Sequence, residues 1–146
     1  MSLRIRRALV VDDSKPMREL IQIVLKQCGC KEIIEVEDGT LAFGAANIVS
    51  LEDGDQKDGR TDIVFLDWMM PMLDGIACIK LIRSGGLDGF DANVPIIMVT
   101  GRVDDESERI ALEAGATLFV RKPVTIRSLF DAITNVLSKI PQKVSA

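Results

Sequence analysis

Ile63-Val64-Phe65-Leu66-Asp67 is the stretch from which the rest of the chain can be read. It is an unbroken apolar run, rich in branched side chains, that stops at a carboxylate. It is too short for an ordinary helix and too continuously apolar for a strand with one face in water. Such a run reads as a strand covered on both faces, the kind found in parallel sheets flanked by helices. An aspartate at its carboxyl end falls where open α/β sheets place their chemistry.

Moving outward, the same grammar repeats on both sides. Upstream, Ala8-Leu9-Val10-Val11 ends in Asp12-Asp13. Ser14 suits a helix cap and Pro16 a first turn, and Met17, Leu20, Ile21, Val24 and Leu25 recur at helical spacing. Gly29 ends that helix. Residues 31–36 form a weaker second strand, Asp38-Gly39 is a turn signal, and residues 41–49 read as a second helix. Downstream, Asp74-Gly75 opens a third helix carried by Ile76, Ile79, Leu81 and Ile82. Residues 95–99 give a fourth strand that runs into Thr100-Gly101. Asp104-Asp105-Glu106 puts acids where a helix start favours them, and this fourth helix stops at Gly115. Leu118-Phe119-Val120 is a fifth strand leading into Arg121-Lys122-Pro123. Thr125 can cap the last helix, whose apolar positions are Ile126, Leu129, Phe130, Ile133 and Val136.

Repeated strand–helix alternation implies an α/β fold with a parallel sheet between two helical layers. The 146 residues suit one domain, expected over 1–146 with a core at about 5–139 and a short tail. The hydrophobic share, 47%, excludes disorder by composition. The net charge of −4 offers no basic stripe to displace counterions from nucleic acid. No apolar run approaches the length of a membrane span, and the apolar stretch at Met1-Ser2-Leu3-Arg4-Ile5 is too short for a secretion signal. A cytoplasmic protein is expected.

Three cysteines, Cys28, Cys30 and Cys78, occur with no histidine. Cys28-Gly29-Cys30 invites a metal or redox reading, but a zinc site needs more ligands than this inventory readily supplies. Ordinary, partly buried thiols are the expectation. Two long connections, 50–61 and 84–93, read as solvated loops. A calcium loop starting at Asp53 would put Lys57 at a ligand position and Val64 where the closing acid belongs, so the first is not one.

Asp12, Asp13, Asp67, Thr100 and Lys122 all follow or end expected strands, so the topology gathers them on one edge. Crowded carboxylates raise one another's pKa unless a cation intervenes. Hard oxygen ligands of this kind suit Mg²⁺. An ionised aspartate can attack phosphorus, and a lysine and a hydroxyl can meet the charge on a transferring phosphoryl group. Taken alone, Asp12-Asp13 would cap a helix, Thr100 would serve a turn, and Lys122 would be a surface lysine.

The set Leu9-Val10-Val11-Asp12-Asp13-Ser14, Asp67-Trp68-Met69-Met70-Pro71-Met72-Leu73-Asp74-Gly75, Val99-Thr100-Gly101 and Lys122-Pro123 resembles the response-regulator receiver family of two-component signalling. The resemblance implies the flavodoxin-like (βα)5 three-layer sandwich with strand order 2-1-3-4-5. It implies Asp67 as phosphoacceptor, Asp13 as a direct Mg²⁺ ligand, Asp12 as one acting largely through water, and the Met69 backbone carbonyl as a further ligand. Thr100 matches the switch hydroxyl and Lys122 the family lysine, with a cis Lys122-Pro123 bond. Phe119 matches the aromatic switch position, although a strand aromatic is also ordinary core. Met69 and Arg102 fall where the family manages the hydrolytic water; a methionine binds water poorly, so dephosphorylation that is not especially fast is expected. Trp68 is expected partly exposed beside the site.

The implied function is a signalling switch that takes a phosphoryl group from a sensor histidine kinase or a histidine phosphotransfer protein. It then alters its affinity for a downstream protein target through the face of the fourth helix, fifth strand and fifth helix. The implied chemistry is confined to its own phosphorylation and dephosphorylation. A phosphorelay intermediate, a phosphate sink or a receiver module of a larger regulator would share that chemistry. An aspartate-dependent phosphohydrolase is disfavoured because Met69 stands where a second acid belongs. An FMN-binding protein is disfavoured because Asp12-Asp13 would repel its phosphate. A binding module that works without phosphorylation is opposed by the intact acids and Lys122.

Overall fold

The computed structural model describes residues 5–37, 61–70, 73–85, 90–101 and 104–138. The expected second helix at 41–49, its preceding turn and Arg102 lie outside the described residues. Five strands form one parallel sheet: β1 (Arg7–Val11), β2 (Glu32–Val36), β3 (Ile63–Leu66), β4 (Ile96–Thr100) and β5 (Leu118–Arg121). Their order across the sheet is β2-β1-β3-β4-β5, as expected. Register is set by Val11 beside both Val36 and Leu66, Leu66 beside Met98, and Thr100 beside Arg121.

Alternation along the strands sends successive side chains to opposite faces. Ala8, Val10, Ile63, Phe65, Ile97 and Val99 enter one core with α1 (Lys15–Gln27) and α4 (Ile126–Ser138). Leu9, Val11, Val64, Leu66, Ile96 and Met98 enter a second with α2 (Gly75–Arg83) and α3 (Asp105–Ala114). Three layers result, with the sheet buried throughout its centre.

Caps fall at the residues expected to form them. The Ser14 hydroxyl accepts from Met17 N–H at 3.4 Å, and the Asp104 carboxylate from Ser107 N–H at 2.7 Å. The Thr125 hydroxyl accepts from Ser128 N–H at 3.0 Å. Gly29 and Gly115 take positive φ just past their helices, a conformation that favours glycine.

Three expectations on burial need correction. Leu81, Ile126 and Phe130 are exposed, because the buried stripes run through Cys78, Ile79 and Ile82 on α2 and Leu129, Ile133 and Val136 on α4. The connection after α2 is not simply solvated: Phe90 is buried in the second core. Arg83, the last residue of α2, donates to the carbonyls of Ala92 (2.8 Å), Val94 (2.6 Å) and Gly115 (2.9 Å) and to the Thr117 hydroxyl (3.3 Å). The three cysteines are free and buried rather than partly exposed.

Candidate functional site at the carboxyl edge of the sheet

β1 and β3 are neighbours in register, so the residues that follow them meet. The first is Asp12 and the second Asp67, whose N–H donates to the Val11 carbonyl at 3.0 Å. Oxygen atoms of Asp12, Asp13 and Asp67 lie within 4.8 Å of one another. Asp12 and Asp67 are buried and Asp13 is exposed. Lys122, just past β5, reaches across: its Nζ is 3.2 Å from Asp12 Oδ2 and 3.2 Å from Asp67 Oδ2. The Lys122 N–H donates to the Thr100 carbonyl at 2.8 Å, tying the ends of β4 and β5 together. The Lys122-Pro123 bond is cis, as expected.

Three carboxylates around one ammonium leave an excess of negative charge. Burial raises the Asp12 carboxyl above its ordinary value. The Ser14 N–H works against that rise, the Asp67 carboxylate adds to it, and Lys122 opposes it. For Lys122, burial works to lower the pKa, but the carboxylates of Asp12 and Asp67 outweigh it and the net shift is upward. The lysine therefore stays charged. A cluster of hard oxygens with unbalanced negative charge is the donor chemistry of a magnesium-type ion, and the residues present fit one.

Asp12 is fixed at every polar atom. Its N–H donates to the Val36 carbonyl at 3.2 Å, and its own carbonyl accepts from Arg18 Nη1 at 2.6 Å. Oδ1 accepts from Ser14 N–H at 2.8 Å, while Oδ2 faces Lys122. Neither Asp12 carboxylate oxygen is idle.

Beyond Asp67 the chain doubles back. Met69–Met70 pairs antiparallel with Leu73–Asp74, and Gly75 N–H donates to the Trp68 carbonyl at 2.8 Å. A Cβ on Gly75 would stand 2.5 Å from the Asp67 carbonyl oxygen and 3.0 Å from Trp68 Cα. Only glycine lets α2 start this close to the backbone of Asp67. Met69, whose carbonyl is a candidate ligand, opens this hairpin.

Trp68 corrects the expectation of partial exposure: it is 7% exposed and belongs to the second core. It continues the alternation of Val64 and Leu66 past the end of β3, which sends it to the same face. Thr100 is buried at the end of β4, and Phe119 is half-buried beside Met98 in register. Thr100 and Phe119 therefore lie on one face of the sheet, that of the second core.

Two residues at the site escape a reading of the sequence, Arg18 and Gly75. Arg18 carries a signal: it falls on the helical stripe of Met17, Ile21, Val24 and Leu25, where a charged residue needs a buried partner. Gly75 reads as a helix start, and no local pattern marks its approach to the Asp67 backbone.

Comparison with known proteins gives one answer. The model of the response regulator receiver domain matches residues 8–134. The phosphate regulon transcriptional regulatory protein PhoB of Klebsiella pneumoniae is 32% identical over 135 residues, covering 92% of this chain and 53% of that protein. The chain thus spans about half the length of the curated relatives it matches. Among solved structures, the chemotaxis response regulator CheY4 of Vibrio cholerae superposes with a TM-score of 0.73 at 26% identity, covering 90% of this chain and 98% of that one. The receiver domain of Francisella response regulator 1452 gives a TM-score of 0.70 at 25% identity, covering 91% and 97%.

Proposed function

The chain belongs to the response regulator receiver family, and on that premise we propose that it is a phosphorylation switch with Asp67 as phosphoacceptor. One observation carries the proposal: the Asp67 carboxylate shares the Lys122 ammonium with Asp12 at 3.2 Å, inside the cluster of three acids. Isolated acids at helix starts do not converge in this way.

An Asp67 oxygen attacks the phosphorus of a phosphohistidine on a partner kinase or phosphotransfer protein. The O–P bond forms as the P–N bond breaks, and the imidazole leaves with the bonding pair and takes up a proton. Lys122, already 3.2 Å from the nucleophile, meets the negative charge on the transferring group. Asp12, Asp13, Asp67 and the Met69 carbonyl are the donors that would hold Mg²⁺, which supplies charge neutralisation for the phosphoryl oxygens. The Thr100 hydroxyl is the donor that follows the new phosphoryl group. Phe119, on the same sheet face, carries the change toward the surface of α3, β5 and α4, altering affinity for a protein target. On this reading the chain acts only on itself. Relay, phosphate sink and receiver module of a longer regulator share these steps and differ in what reads Asp67. Among the described residues no helix is long and apolar enough to cross a membrane, in keeping with a cytoplasmic role.

The test combines Mg²⁺ with acetyl phosphate or beryllofluoride, following Trp68 fluorescence and intact mass. A Mg²⁺-dependent response and a phosphoryl adduct lost in Asp67→Asn are expected. No adduct on the wild-type chain, or an unchanged adduct in the variant, removes the proposal.

A further inference from the structure

We propose that Arg18 is a positioning residue for the divalent ion, acting through the peptide that joins Asp12 to Asp13. The inference rests on the magnesium reading of the site given above and adds a residue to it.

Arg18 lies on α1 with its side chain only 10% exposed. Its Nη1 donates to the Asp12 carbonyl at 2.6 Å, a buried charge-assisted bond. Its other side is held by acids from the end of β2: Nε is 3.4 Å from Glu35 Oε1, and Nη2 is 3.9 Å from Glu37 Oε1. The guanidinium thus bridges the end of β2 to the turn that carries the acids.

The carbonyl it grips belongs to a planar unit whose nitrogen is that of Asp13. Fixing the oxygen of that plane fixes where the Asp13 backbone begins. Among the described residues, no hydrogen bond or ion pair holds the exposed Asp13 carboxylate. Asp12, by contrast, is secured by Val36, Ser14 and Lys122 as well as by Arg18. Losing Arg18 therefore leaves Asp12 three anchors but frees the plane that aims Asp13. Groups that orient ligands in this way commonly change metal affinity by one to two orders of magnitude.

The experiment titrates the full chain with Mg²⁺, following Trp68 fluorescence and calorimetric heat, with urea melts in chelator as a check on folding. Arg18→Met keeps an apolar stem and removes the donors; its Mg²⁺ dissociation constant should rise about tenfold. Arg18→Lys restores one charged donor and should recover at least half of that loss on a logarithmic scale. Should Arg18→Met not fold, Arg18→Gln replaces it, with several-fold weaker binding expected. Wild-type affinity in the folded Met or Gln variant overturns the proposal, as does equal weakening in Met and Lys. If the wild-type chain itself binds no Mg²⁺, the magnesium reading fails and this proposal falls with it. Wild-type binding that ignores Arg18 removes the positioning role alone.

Discussion

Lys122 Nζ stands 3.2 Å from Asp67 Oδ2, and the same nitrogen is equally far from Asp12. One ammonium serves two buried carboxylates that repel each other. Lys122→Met removes the cation that the two acids share. Phosphoryl transfer to Asp67 from acetyl phosphate should slow by about a hundredfold, the usual cost of losing one donor aimed at developing charge. Stopped-flow Trp68 fluorescence measures this; a rate within twofold of wild type would contradict the role given to Lys122.

Gly75→Ala tests the close approach of α2 to Asp67. The new methyl would lie 2.5 Å from a backbone oxygen, which has no flexible tail to move aside. A loss of about 2 kcal/mol in urea denaturation is expected, the ordinary cost of overpacking. Trp68 emission should shift as well, since its Cα lies 3.0 Å from the same methyl. An unchanged urea midpoint would mean that the backbone beside Gly75 yields without cost.

Arg83→Met should lower stability by about 3 kcal/mol, because several carbonyls lose a charged donor at once. Mg²⁺ affinity should not change, since these acceptors precede β4 and β5 and lie at the sheet edge opposite the acids. Urea melts and a magnesium titration on the same variant separate the two effects. A large change in affinity would show that the two edges are coupled.

Burial raises the thiol pKa of Cys28, and burial is also the largest cause of the rise at Cys30. At pH 8 both should react with iodoacetamide far more slowly than the same thiols in urea, as followed by mass. The thermodynamic counterpart has a definite sign. A folded-state value above the unfolded one, about 8.5 for a free thiol, contributes stability that is full below that pH and is lost as pH rises through the folded value. The urea midpoint of wild type should therefore fall relative to a Cys28→Ala, Cys30→Ala variant as pH is taken from 8 to 10. A difference that stays constant over that range would contradict the assignment.

The strands and the acidic edge are legible in the sequence because a short branched apolar run that stops at a carboxylate seldom fits anything but a buried strand reaching its sheet edge. Val64 and Leu66 even carry the information that Trp68 is buried, through an alternation that continues beyond the strand. What escapes is long-range. Arg83 looks like an ordinary basic helix end, and only the fold brings Ala92, Val94, Gly115 and Thr117 around it. Ile126 and Phe130 match the helical period, yet they flank the buried stripe and stay at the surface. Periodicity marks a face and not its width. Arg102 and the segment at 41–49 lie outside the described residues.

The grip of Arg83 on both entry turns has a mechanical consequence. β4 and β5 are bolted together at their roots, before either strand begins. Thr100 and Lys122 ride at the far tips of those strands. That grip resists sliding of one strand past the other, so displacement at the tips is expected as a flexing about a fixed base, the motion of a reed and not of a piston.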